Sequence, residues 1–195
     1  VERTRELLPE RLQAWDGEGG FTASGIQAMV QRADALAHAG MLSEYELRAW
    51  HFIQHGAILT HLTPYGMDEG MNGRYAFLQE PLDLVHQGMI RLRGVLDAWG
   101  QTPERLFMLP GRDHEVVAHL GALIFEQPLT PWPPEGSTAP GLILAHDLTT
   151  LDYDTLISLH TKHPGQTLFV QAASWTQVPA FAADITTFLY QVNTP

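Results

Sequence analysis

The sequence predicts a mixed α/β protein, a helical first half followed by a small three-layer half built on a parallel sheet. Two observations carry this. After residue 100 one phrase recurs three times: a short apolar run, a small polar loop, then an amphipathic stretch. The runs are Leu106–Leu109, Leu142–Ala145 and Thr167–Ala172. Strand–helix alternation at this spacing is the signature of parallel strands with crossover helices. Before residue 100 the apolar positions recur instead at three- and four-residue steps, which is helical periodicity. The expected organisation is a helical subdomain over residues 1–100 and a strand–helix subdomain over 101–195. The two are expected to form one compact unit, because three strands alone make a small core.

The elements follow in order. Leu7, Leu8, Leu12 and Trp15 suggest a short helix over 5–15, broken by the glycines at 17–20. Ser24 to Gln27 has capping-box form, and Ile26, Met29, Val30, Ala33 and Leu36 then mark a helix that lasts to Gly40. Ser43 to Glu46 is a second capping box. It opens a helix expected to run to about Leu62, apolar nearly all round and stopped by Pro64. Residues 64–80 hold glycines, acids and an arginine, the composition of a surface loop or lid. Pro81 starts the next helix. Its Leu82, Val85, Met89, Leu92, Leu96 and Trp99 form an apolar seam suited to internal packing or to pairing two copies of the chain.

In the second half, Pro110-Gly111 ends the first strand and Asp113 is expected to cap the following helix. A proline-rich crossover spans 127–141, with a short edge strand expected near Ile124-Phe125. Asp152 or Asp154 caps the helix after the second strand. Pro179 is expected to open a last helix with Phe181, Ile185, Phe188, Leu189 and Val192 on one face, leaving Asp184 and Thr187 outward.

Composition excludes several functions. The chain has 195 residues with 11 basic against 22 acidic, a formal charge of −11. A nucleic-acid binder needs lysines and arginines to neutralise phosphates, so no nucleic acid is expected as partner. No run approaches the ~20 apolar residues of a membrane span, and the opening Val-Glu-Arg-Thr-Arg-Glu lacks a secretory leader's apolar stretch. There is no cysteine, which removes disulfides, thiolate metal sites and cysteine nucleophiles, and fits a cytoplasmic protein.

Ligands of open parallel sheets sit beyond the carboxyl ends of the strands. Three loops would meet there. In the first, Gly111 permits close backbone approach, Arg112 offers a bidentate contact to an anion, and Asp113 lies at a helix start. His114 in that loop and Asp147 in the second are the candidate proton carriers. In the third, Ser174 and Trp175 would line a pocket, although Ser174 lacks the glycine-flanked elbow of a serine nucleophile. The expected partner is therefore a small polar, anionic molecule, with hydrolase or transferase chemistry at the strand ends. The rival reading is a non-catalytic interaction module that dimerises through helix 82–99. No cofactor is indicated. His51 and His55 stand one helical turn apart, as do His160 and His163 nearly so, but neither pair has the further ligand of a metal motif, so no metal is assigned.

Overall fold

The computed structural model describes residues 20–43, 45–64, 73–78, 80–176 and 181–193. The helix expected over 5–15 lies outside them, as do Pro179 and the middle of the 64–80 stretch. The chain divides at Gly56 into two compact units, so the boundary falls well before residue 100.

The first unit contains α1 (Gly20–His38) and α2 (Leu47–His55). Glu46 caps α2, its carboxylate accepting from the Arg48 N–H at 3.1 Å. The helix stops at Gly56, in the left-handed region at φ 70, rather than continuing to Leu62. Glycine reaches that conformation without a Cβ clash, which makes it a common helix terminator. Arg32 of α1 donates to the carbonyls of Ile53 and Gln54, which α2 cannot satisfy within its own last turn.

The second unit is a parallel sheet. Its strands are β1 (Ile58–Leu59), β2 (Tyr75–Leu78), β3 (Leu106–Met108), β4 (Leu129–Pro131), β5 (Gly141–Ala145), β6 (Gln166–Ser174) and β7 (Ile185–Asn193). The order is β1-β7-β6-β5-β3-β4, and β2 joins β7 farther along. Every pairing is parallel. The three apolar runs are thus adjacent strands of one sheet, as their spacing predicts. Ile58 pairs with Ile185 and Tyr75 with Tyr190, so β1 and β2 cover successive stretches of one edge of β7.

Three expectations are corrected. Residues 185–193 form a strand, not a helix. Ile185 to Tyr190 are buried at every position. A strand covered on both faces loses its alternation, so its apolar residues can mimic helical spacing. The edge strand is at Leu129–Pro131, because the preceding helix runs on through Phe125. That strand is three residues long and ends in proline, as suits a sheet edge. Finally, residues 75–78 of the expected loop are a strand.

Two helices, α3 (Leu82–Ala98) and α4 (Arg112–Phe125), cover one face of the sheet. Val85, Met89, Leu92 and Leu96 meet Leu106, Leu142, Leu144, Phe169 and Ile185 there, with Met89 and Leu92 fully buried. The seam of α3 is therefore consumed by its own core, which removes the surface that dimerisation through this helix required. Only its end residues Leu82 and Trp99, with the flanking Ile90, stay exposed, and Trp50 of the first unit is partly exposed as well. A 3-10 turn (Leu148–Thr150) and α5 (Tyr153–His160) cover the other face. Leu148 and Leu159 pack there with Phe107, Ile143, Leu168, Val170 and Trp132. Trp132 stacks edge-on against Phe107 and donates to the Ser158 hydroxyl at 2.9 Å. Asp152 is the cap of α5, accepting from the Thr155 N–H. Among the described residues no helix is long and apolar enough to cross a membrane.

Gly88 and Gly94 lie on the same helix in opposite situations. A Cβ on Gly88 would stand 2.3 Å from Gln171 Oε1 and 2.8 Å from the Thr187 hydroxyl, whereas one on Gly94 would meet nothing. Gly88→Ala is expected to destabilise by ~1–3 kcal/mol through overpacking. Gly94→Ala is expected to stabilise by ~0.5–1 kcal/mol through helix propensity alone. Urea denaturation of the two variants measures both signs.

Candidate functional site

The first two loops at the carboxyl edge are tied together by one imidazole. Gly111, not Asp113, precedes the first turn of α4, and it makes no side-chain cap. Its φ of 114 is open to glycine, and a Cβ would press on the His114 ring at 3.1 Å. That turn delivers His114 inward, where it is 2% exposed. The backbone N–H of His146 donates to His114 Nδ1 at 3.0 Å. Nε2 therefore carries the ring proton and meets the Thr150 hydroxyl oxygen at 3.1 Å. That hydroxyl in turn donates to the Asp147 carbonyl at 2.8 Å. Burial, with the positive neighbour His146, lowers the pKa of His114 to about 4, against the weaker pull of Asp113 and Asp147. It is a neutral linker with both nitrogens engaged.

Asp147 is 1% exposed and its carboxylate is engaged on both oxygens. Oδ1 accepts the N–H and the hydroxyl of Thr149, at 2.9 and 2.8 Å. Oδ2 accepts the hydroxyl of Tyr190, from β7. Burial first, then the bond to Asp147, pushes the Tyr190 hydroxyl up to about 12, so it holds its proton and donates. Ser174 stands opposite Tyr190 across β6 and β7 and lies 3.2 Å from the Thr176 hydroxyl, which donates to the Gln191 carbonyl. The structure thus connects His114, Asp147 and Ser174 through Thr150 and Tyr190. Arg112 and Asp113 are exposed on the first turn of α4, and Arg112 makes no bond or ion pair among the described residues. Trp175 is also exposed, with the Arg74 guanidinium 4.2 Å above its ring.

The opposite face of the same edge holds a cluster that sequence reasoning missed. His146 Nε2 lies 2.8 Å from Glu80 Oε2, with the side chains 14% and 6% exposed. Gln171 donates to the other carboxylate oxygen of Glu80 at 2.6 Å and accepts the Thr187 hydroxyl at 3.0 Å. Burial works against a charge on His146, but the hydrogen bond and charge of Glu80, helped by Asp113 and Asp147, outweigh it and raise its pKa. Glu80 looked like part of an irregular surface stretch, and its partners lie far along the chain. Tyr190 and Thr187 were hidden by the mistaken helix. Asp184, read as outward-facing, instead pairs with Lys162 and accepts the Leu168 N–H at 2.8 Å.

The remaining histidine pairs are as follows. The His51 and His55 rings are 5.0 Å apart. Burial, then His55, lowers His51 to about 4, while burial and the Arg32 charge lower His55. His160 packs edge-on against Phe181. Among the described residues no group of three or more metal-ligating side chains gathers.

A cleft of about 750 Å³ lies at the other edge of the sheet, bounded by residues 100–105 and by the starts of β5 and β6. None of its polar side chains is buried, Gln101, Glu104 and Arg105 all being exposed.

No protein-family model and no curated protein matches the chain. Among solved structures it is similar to a purine phosphoribosyltransferase from Pyrococcus horikoshii, at 12% identity and a TM-score of 0.45, over 60% of this chain and 91% of that one. It is also similar to a Helicobacter pylori xanthine-guanine-hypoxanthine phosphoribosyltransferase, at 14% identity and a TM-score of 0.40, over 63% and 88%. These likenesses are too slight to carry residues or an activity across.

The linkage of His114 has a definite sign. Its folded pKa lies below the unfolded value of about 6.5, so the folded state resists protonation. Its stabilising share is present above that value and is lost as pH falls towards about 4, a change on the order of 2–3 kcal/mol. Denaturation at a series of pH values should show this acid limb, and His114→Asn should make it shallower. His51 contributes in the same window, so the difference between the two proteins is the readout. Tyr190→Phe, which leaves Asp147 Oδ2 without its donor, should cost ~1.5–3 kcal/mol in the same assay at neutral pH.

Proposed function

We propose that this chain binds a small polar ligand at the carboxyl edge of its sheet. The observation that carries the reading is the distribution of buried polar groups in the second unit. Glu80, His114, His146, Asp147, Gln171, Ser174 and the Tyr190 hydroxyl all gather at that edge, where a packed core has no need of them. Such a network holds loops in one geometry, as a binding site requires, and here its polar groups are bonded except at His146 Nδ1, which is buried without a partner among the described residues. The cleft at the amino edge has no such support.

In this reading Gly111, Arg112 and Asp113 form one lip and Ser174 and Trp175 the other. Arg112 supplies the charge for an anionic group, together with the uncapped first turn of α4. Asp113 and Glu115 in that same turn oppose an anion, so a phosphate ester is expected to bind better alongside a divalent cation. His114 and Asp147 act by holding the lips in register. Hydrolase or transferase chemistry through them would require these bonds to open, since their bonding groups are already engaged within the protein.

A thermal-shift screen against nucleotides and sugar phosphates, with and without magnesium, tests the proposal. A ligand at a hundred times its Kd stabilises by roughly 2.7 kcal/mol. Arg112→Ala should abolish the shift while leaving the unliganded Tm nearly unchanged. A shift that survives this substitution would place the ligand elsewhere, and no shift with any compound would sink the reading.

A further inference from the structure

We propose that Glu80 and His146 form a pH-operated latch, which holds the residues leading into α3 against the strand ends while the imidazole is protonated and loosens when the proton leaves. The inference does not depend on what the carboxyl edge binds.

The geometry is a directed chain of hydrogen bonds. The Thr187 hydroxyl donates to Gln171 Oε1, and Gln171 Nε2 donates to Glu80 Oε1. Glu80 Oε2 then accepts the hydrogen bond from His146 Nε2–H. A carboxylate only accepts, so each donor is fixed. Gln171 also reaches the Leu84 carbonyl in the first turn of α3 at 3.3 Å. The chain thus joins β7, β6, the end of β5 and the start of α3. Gly88 leaves the room for it, since any Cβ there would strike Gln171 and Thr187. Among the described residues these two bonds are the side-chain tethers of Glu80, which immediately precedes Pro81, the cap of α3.

The charged neighbours of His146 favour its protonated form, against the cost of burial. Glu80 faces it from the segment before α3, Asp113 from α4, and Asp147 from the adjoining turn, all negative. His114 of α4 also faces it, and is neutral there. Gln171 and Thr187, which complete the wall from β6 and β7, do not titrate. When His146 loses its proton, Nε2–H can still donate, but the attraction between opposite charges is gone, and Glu80 is left as a buried carboxylate held by neutral donors. Such a carboxylate is strongly disfavoured away from water. The sign follows from the raised pKa: the latch is at full strength below the unfolded histidine value of about 6.5 and weakens as pH rises through the folded value.

Hydrogen exchange of the amides of residues 82–88, followed from about pH 6 to about pH 9 and corrected for intrinsic exchange, reads the latch directly. Local protection should fall with rising pH, about tenfold for each unit by which the folded His146 pKa exceeds the unfolded one. The midpoint should coincide with the His146 titration seen by NMR of the labelled imidazole. Glu80→Gln and His146→Gln should each remove the pH dependence while α4 keeps its protection. A flat profile in the unaltered protein overturns the latch, as does a His146 titration at or below the unfolded value. Retention of the pH dependence in His146→Gln overturns it too. The wild-type measurements decide the matter even where a variant fails to fold.

Discussion

Burial of a parallel sheet on both faces is the constraint from which the rest follows. Leu142 to Ala145 and Ile185 to Tyr190 have no solvent side, so these strands are filled with apolar, β-branched and aromatic residues. Backbone polar groups within them are paired along the ladders, and the few polar side chains inside the sheet, such as Gln171 and Thr187, bond to one another. At the strand ends the loops must leave the sheet and turn into helices, and unsatisfied amides and carbonyls accumulate. His114 answers this need at one place: it accepts the His146 N–H just past the end of β5 and reaches Thr150 on the far side of the turn. The same requirement brings Asp147 onto the Thr149 N–H and Tyr190 onto Asp147.

Two faces of one sheet edge therefore carry two different polar assemblies. Around Asp147 every donor is neutral, with the carboxylate enclosed by hydroxyls and an amide. Around His146 the assembly is an ion pair, whose strength depends on protonation. Strand alternation separates them, since His146 and Asp147 are neighbours in sequence and point to opposite sides. The two remain coupled, because the His146 N–H donates to His114 and the charges of Asp113 and Asp147 reach the His146 ring.

The strand–helix repeat was legible because β3, β5 and β6 are short apolar runs bounded by turn residues, and each meets an amphipathic helix next in the chain. The seam of α3 was legible for the same reason. What escaped was β7, where Thr187 bonds to Gln171 inside the sheet although it reads as the polar side of a helix, and where the Tyr190 hydroxyl bonds to Asp147. β1 and β2 escaped because two- and four-residue strands give no periodicity to read, and a helix stopped by Gly56 left no other mark. At the site, the loops holding Gly111, His114, Asp147 and Ser174 could be placed from strand ends alone. Glu80 could not, because nothing local ties it to His146 and Gln171. The surroundings of Asp113 and Trp175, an open first helical turn and an arginine over the ring, depend on tertiary packing.

The position of β7 has a consequence for assembly of the chain. Among the described residues it follows every other strand in sequence, yet it lies between β6 and the β1–β2 edge, so β1 and β2 find their partner only once β7 has been made. Until then β6 presents an unpaired, apolar edge, and β1 and β2 have nothing to pair with. Parallel pairings this distant in sequence close large loops and form slowly. The nascent second unit is thus exposed to edge-to-edge association for longer than its size suggests, and its dependence on chaperones would be set by one late strand.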